Sequence, residues 1–441
     1  PRRWAILLCN LNDSLPPATS RDSYVQFFTE SGDSLGTAFD YWHDMSYGTE
    51  GLRETGVFGF FQISHSTAEL LAITGSAQRQ QAFNWGLEAA RNANVQLNDF
   101  EHKIVLLNGG GNDHGAVGGG VTFVYADETA LEPTFMFHEM GHEFGLDHSF
   151  GEQAAPCAGG DARPGAYCDR ADIMSAMNVA SFQDVLNRRS GPSLNAMSRK
   201  RLGWLHRSRI RSLPPAGPAE TITLAALNRP DVEGYQMAEF VGTSRVNTNA
   251  TSIYTVEFRE RSGWDQRLNS SAVIVHEIRS DGLVRLLTNN PIGTIAAGGE
   301  FVSPSPSTVV RVESVDATSH TSRLRIWRLP ASGTRNVRIF TILFDPVGPA
   351  PRGEFVLIQN DRPLAVDLTG WTLSDAARHV YTFPSFTLPS GGTVKVWTGT
   401  GVNDAENLYW GRRQAIWNNT GAIGVLRDAA GTEISRFAYT A

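Results

Sequence analysis

Three histidines and a glutamate crowd residues 138–148, which read HEMGHEFGLDH. On a helix, residues i and i+4 share a face, so His138 and His142 can offer two imidazoles to one cation. Gly145 predicts the end of that helix and a turn that brings His148 back as a third nitrogen ligand. Three histidines suit Zn2+ and leave its fourth tetrahedral position to water, the pattern of a catalytic site. Zinc lowers the pKa of that water and polarises a substrate carbonyl; Glu139, next along the helix, accepts the proton and passes it to a leaving amine. The chemistry expected is hydrolysis of a peptide bond, with one catalytic zinc and Glu139 as general base. A helix of satisfied core histidines is the plain alternative, and three histidines with a helix-ending glycine match it poorly.

These side chains need a helix from about 132 to 144, for which Pro133 suits the first turn. Upstream, strands are expected at 4–11, 57–63, 103–108 and 121–125. KIVLLN at 103–108 is almost purely apolar, as a strand buried on both faces would be. RDSYVQFFTESG reads as a short helix, and AQRQQAFNWGLEAARNA as a longer one with Phe83, Leu87 and Ala90 on one face. The stretch NGGGNDHGAVGGG lacks the Gly-Lys-Ser/Thr ending of a phosphate loop and opens into a strand. It is expected to be a flexible loop beside the cleft, with His114 in reach of substrate.

The chain has 441 residues, enough for two to four domains. Its 41% hydrophobic and 19% charged content fit a folded protein. A net charge of -7 without clustered basic residues argues against nucleic acid as a partner. No apolar run reaches the length of a transmembrane helix. PRRWAILLCNLND superficially resembles a signal peptide but lacks a small-residue cleavage site, so its apolar run reads as the first core strand. Of three cysteines, Cys9 lies in that strand. Cys157 and Cys168 flank a Gly/Pro/Asp-rich loop and either close it as a disulfide or stand as free thiols. Asp161, Asp169, Asp172 and Glu152 surround the histidine motif; they could gather around Ca2+ or form a solvated acidic loop. After LPPAGPAE at 213–220 the chain turns β-rich, and a second break falls near 330–336. The expected division is 1–212, 213–332 and 333–441. No internal repeat relates the two β regions.

The histidine motif resembles that of the metzincin metallopeptidases position by position, and CDRADIMSAMN resembles their Met-turn. The resemblance implies a multidomain α+β protein. Its catalytic domain would be a twisted mixed sheet plus helices, followed by two all-β sandwiches. It further implies Met174 beneath the zinc, with Met177 second. It also implies an antiparallel edge strand that binds substrate, at Val121, Phe123 and Tyr125. Flanking residues, including GPSLNAMSRKRLGWL, resemble the secreted gametolysin and immune-inhibitor-A-like peptidases. Some metzincins carry a tyrosine ligand two residues after the Met-turn methionine; Ala176 stands there, so none is expected. The region with YTVEFRERSGWDQ resembles the sandwich that follows the catalytic domain in immune-inhibitor-like peptidases, and is expected to support that domain. GEFVLIQN, VDLTGWTLSDAARHVYTFP and LYWGRRQAIWNNTGAIGVLRDAAG resemble a lamin-tail domain, with an immunoglobulin-like fold. Trp371, Trp397, Trp410 and Trp417 would fill its core and loops, and Tyr409–Trp410 could meet carbohydrate at a cell surface. Protein or peptide is the expected substrate. The competing readings are a non-catalytic binding or adhesion protein working through the β modules, and a narrow peptidase acting on glycosylated proteins.

Overall fold

The computed structural model describes residues 3–439 apart from 16, 33–34, 51, 110–114, 118–120, 126–130, 215–218, 246–249, 288–293, 305–307, 329–336, 345–352, 361, 363–364 and 390–391. For 53, 115–117, 121–125 and 176–177 only the backbone is described.

The first region is built on five strands: β1 (Trp4–Asn10), β2 (Gly56–Gln62), β3 (His102–Asn108), β4 (Gly115–Val117) and β5 (Val121–Tyr125), in the order β2-β1-β3-β5-β4. β2, β1, β3 and β5 run parallel, and β4 pairs antiparallel to β5. The apolar runs of β1 and β3 serve two cores, because successive side chains leave a strand on opposite faces. Ala5, Leu7, Cys9, Val105 and Leu107 meet Phe83 and Trp85 of α4 (Ser76–Asn92). Trp4, Ile6, Leu8, Ile104 and Leu106 face α1 (Arg21–Thr29), α2 (Ala38–Met45) and α5 (Pro133–Glu143). A short α3 (Thr67–Leu71) precedes α4.

Two details differ from expectation. The edge strand is β4, inside the Gly-rich stretch, whereas VTFVY is an inner strand bonded on both sides. Its apolar run is what a doubly paired strand carries. The helix α2 was not foreseen; AFDYWHDM buries Phe39, Tyr41, Trp42 and Met45 in the core beneath α5.

After a ribbon of β6 (Phe182–Gln183) and β7 (Arg189–Ser190) and helix α6 (Ala196–Arg201) comes a two-sheet sandwich. One sheet has the order β13-β12-β11-β10-β8, formed by β8 (Ile210–Ser212), β10 (Met237–Thr243), β11 (Thr251–Arg259), β12 (Ala272–Ile278) and β13 (Val284–Leu286). In it β14 (Thr294–Ile295) also pairs with β12. The other sheet is β15-β16-β17-β9, with β9 (Glu220–Ala225), β15 (Glu300–Val302), β16 (Thr308–Asp316) and β17 (Thr321–Arg328). Phe240, Tyr254, Val256, Val310 and Leu324 fill the space between. Because β8 pairs with β10, the sandwich begins at Ile210 and not at 213. The expected break at 330–336 lies outside the described residues.

The last region has two four-stranded sheets over one core and a two-stranded ribbon of Val366–Asp367 with Thr387–Leu388. Val337–Leu343, Phe355–Asn360, Thr393–Trp397 and Asn407–Tyr409 form one sheet; Thr372–Ser374, Val380–Thr382, Ala422–Arg427 and Glu433–Tyr439 form the other. Trp371 and Trp417 lie in the core, while Trp397 and Trp410 are half-buried. Across the chain, β structure predominates over helix.

Candidate metal centre

Helix α5 starts on Pro133 and ends in a Schellman turn. Gly145 N–H donates to His142 O (2.9 Å) and Leu146 N–H to Gly141 O (3.1 Å), with Gly145 at φ +81°. That left-handed backbone is what glycine reaches without a Cβ penalty. The turn does two things at once. It sends the chain back toward the helix, and it places Leu146 O 2.8 Å from His142 Nδ1.

His138, His142 and His148 each offer a ring nitrogen within 4.8 Å of the others. Their Nδ1 atoms are all engaged outward: His138 on Ile173 O (3.1 Å), His142 on Leu146 O (2.8 Å) and His148 on Asp161 Oδ2 (2.7 Å). A carbonyl or carboxylate oxygen only accepts, so each Nδ1 carries the proton and each Nε2 presents a lone pair. His138 Nε2 and His142 Nε2 stand 3.1 Å apart. Two bare lone pairs at that distance repel unless a cation sits between them. Zn–N bonds of about 2.0–2.1 Å put two tetrahedral donors roughly 3.4 Å apart, so the donor set and its spacing fit zinc. Burial, then the charges of His142 and His148, hold the His138 pKa well below its ordinary value. Burial is also the main cause lowering that of His142. Both shifts favour the neutral ring, the form that binds metal. Glu139 is buried beside His138 on the same helix.

The ground beneath the histidines is equally specific. Ile173 and Met174 are buried, and Ser149 N–H donates to Met174 O (3.1 Å). A Cβ on Gly141 would lie 2.4 Å from Met174 Sδ, so glycine between the two helix histidines lets Met174 sit against the helix. Asp172 caps this segment, accepting from Met174 N–H (2.8 Å) and Asn195 N–H (2.8 Å). The side chain of Met177 lies outside those described.

Cys157 and Cys168 form a disulfide with Cα atoms 5.1 Å apart. The loop they close carries Asp161, Arg163 and Tyr167. Arg163 spans Asp147 (2.7 Å) and Asp161 (2.6 Å), and its side-chain hydrogen bonds are the main cause holding both carboxyls below the usual range. Asp161, Asp169, Asp172 and Glu152, for which the sequence leaves calcium and a solvated acidic loop as the two readings, do not converge on one point among the described residues; each has its own partner. Asp161 holds His148 and Arg163, Asp169 pairs with His276 (2.9 Å), Asp172 caps the Met174 segment, and Glu152 pairs with Arg245 (3.0 Å). His114 lies outside the described residues, as do the side chains of Val121, Phe123 and Tyr125.

Two residues near the centre went unread in the sequence. Tyr167 places its hydroxyl 3.0 Å from His148 Nε2, and burial foremost raises its pKa to about 12. Gly141 occupies a position the motif leaves open. A tyrosine next to a disulfide cysteine was the one available cue for the first; nothing local signals the second.

Residues 330–441 match the family model of the lamin tail domain, so the last region is a lamin tail domain with an immunoglobulin-like β fold. Comparison with curated proteins finds no match to the chain. No helix among the described residues is long and apolar enough to cross a membrane.

Proposed function

We propose that the chain is a secreted zinc endopeptidase with His138, His142 and His148 as metal ligands and Glu139 as general base. The observation that carries this reading is the shared orientation of the three imidazoles. Each Nδ1 is tied to an oxygen, leaving three Nε2 lone pairs that face one another. The buried Met174 against Gly141 and a mixed sheet whose antiparallel edge is β4, rather than the VTFVY strand, support the same reading. When bound, zinc supplies Lewis acidity toward a water and the scissile carbonyl. Ile173 O, Leu146 O and Asp161 fix the ligand rings and increase their basicity. Glu139 takes one proton from the attacking water and gives it to the leaving nitrogen as the C–N bond breaks. β4 lies against α5 and has no further strand partner among the described residues, so an extended substrate can add there by backbone hydrogen bonds.

Glu139→Ala should retain one zinc per chain and the same unfolding midpoint, yet cut a diverse peptide library at under about a hundredth of the parent rate. Mass spectrometry of the cuts, with and without a chelator, provides the readout. Undiminished cleavage by the zinc-replete variant would refute the assignment of the base.

A further inference from the structure

Tyr167 enters the histidine cluster from the disulfide loop. Its ring centroid is 4.3 Å from that of His148 and 6.1 Å from that of His138. Its main chain is pinned on both sides: Tyr167 N–H donates to Ser149 O (2.9 Å), and Asn178 Nδ2 donates to Tyr167 O (3.1 Å). It adopts φ +58°, a left-handed conformation that a bulky residue holds only where its surroundings enforce it. The side chain packs with Phe150 and Ala166 and is buried. The phenol is thus preorganised, with little freedom to swing away.

Since His148 Nδ1–H donates a hydrogen bond to Asp161, Nε2 is the acceptor and the Tyr167 hydroxyl the donor. A cation shared by the three Nε2 atoms claims the same lone pair. The phenolic O–H then loses its acceptor while its backbone keeps it at the centre. We infer that Tyr167 is a catalytic residue that donates its hydroxyl hydrogen bond to the scissile carbonyl oxygen as that oxygen becomes negative. The inference rests on the peptidase reading above. When water oxygen bonds to the carbonyl carbon, the π pair moves onto the carbonyl oxygen and the O–H···O contact strengthens. When the C–N bond breaks, that pair returns to re-form the carbonyl. The phenol keeps its proton throughout, and Glu139 carries the proton to nitrogen. A preorganised donor of this kind gains strength with developing charge, so it lowers the barrier more than it aids substrate binding.

The test is Tyr167→Phe in the full zinc-loaded chain, with zinc affinity measured by competition against a chromophoric chelator. kcat and KM are measured on one cleaved peptide, and affinity for a phosphinic peptide that mimics the tetrahedral centre is measured alongside. Zinc affinity within about threefold of the parent, KM within about twofold and kcat reduced on the order of 10²–10³-fold are expected. Phosphinic-peptide binding should weaken while a product peptide binds as before; being read on the folded, zinc-loaded protein, this comparison separates lost chemistry from lost folding. Unchanged kcat and phosphinic affinity would overturn the inference and leave the peptidase reading intact. Zinc affinity weakened more than tenfold would overturn it by making Tyr167 a ligand. A parent chain that binds zinc but cuts nothing removes both.

Discussion

The positions of three imidazole rings are fixed by acceptor oxygens that the spacing of the histidines does not specify. Spacing in the sequence correctly paired His138 with His142, because i and i+4 on α5 must share a face. It also foresaw the break at Gly145. It said nothing of Ile173 O, Leu146 O or Asp161, which decide that Nε2 and not Nδ1 faces inward. Leu146 O comes from the local turn that Gly145 makes, whereas Ile173 O and Asp161 come from segments whose course depends on tertiary contacts, so no local pattern announces those two. Asp161 was read as a calcium candidate for its chemistry alone; its position makes it the anchor of His148. Gly145→Ala tests the turn itself. No atom crowds its missing Cβ, so the cost is conformational, on the order of 1 kcal/mol at φ +81°. Denaturant unfolding should show that loss, and zinc affinity should fall with it as His148 is displaced.

At the level of elements, the segment 169–174 links the histidine cluster to the sandwich. Asp169 accepts from His276 of β12 (2.9 Å), and Asp172 caps Met174. Burial, then the Asp169 charge, pushes the Asp172 pKa up to about 6, while backbone donors of Met174 and Asn195 pull it down. A carboxyl with a raised folded pKa leaves stability intact below its unfolded value of about 4 and erodes it as pH rises through about 6. For His276, burial pulls downward but the hydrogen bond and charge of Asp169 prevail, so its pKa is raised. Its stabilisation is likewise present at low pH and lost as pH rises through the folded pKa. Asp172→Asn should therefore flatten the stability-versus-pH curve between about 4 and 6, measured by denaturant unfolding at each pH. An unchanged slope would show that Asp172 ionises normally. Strands were readable where apolar runs were long. β4 was not, since GAV among glycines carries no strand signature, and the strand exists because β5 offers it an edge. The helix α2 carries the helical spacing, with Ala38, Tyr41, Trp42 and Met45 at i, i+3, i+4 and i+7, but its eight residues repeat that pattern for only about two turns, and it went unread.

Over the whole molecule, the first region and the sandwich are joined by buried charge. Arg259 of β11 donates to Asp265 (2.6 Å) and Glu257 (3.0 Å) within the sandwich, and to Ala171 O (2.9 Å) and Ser193 O (3.3 Å) across the divide. Phe150, two residues beyond His148, adds to the sandwich through Phe150 N–H to Val284 O (3.0 Å) and Leu286 N–H to Phe150 O (2.8 Å). The composition shift after residue 213 marked a change of architecture but hid this joint, because long-range pairing leaves no trace in neighbouring residues. Calorimetry should find residues up to 328 melting in one transition. Arg259→Ala, which strands two buried carboxylates, should cost about 3–5 kcal/mol and lower zinc affinity as well. Two independent transitions would mean the sandwich is a mere appendage. The lamin tail domain meets this unit through Arg311–Glu433 (3.5 Å) and through Arg245, whose guanidinium lies 4.8 Å from the Phe340 ring centre while pairing with Glu152.

The metal centre itself is tested most directly by zinc titration of the purified chain combined with X-ray absorption at the zinc edge. One zinc per chain is expected, in a nitrogen-rich shell at about 2.0–2.1 Å containing three imidazoles, with binding lost in His142→Ala. A folded chain that takes up no stoichiometric zinc at saturation, or that holds it equally well without His142, would contradict the assignment.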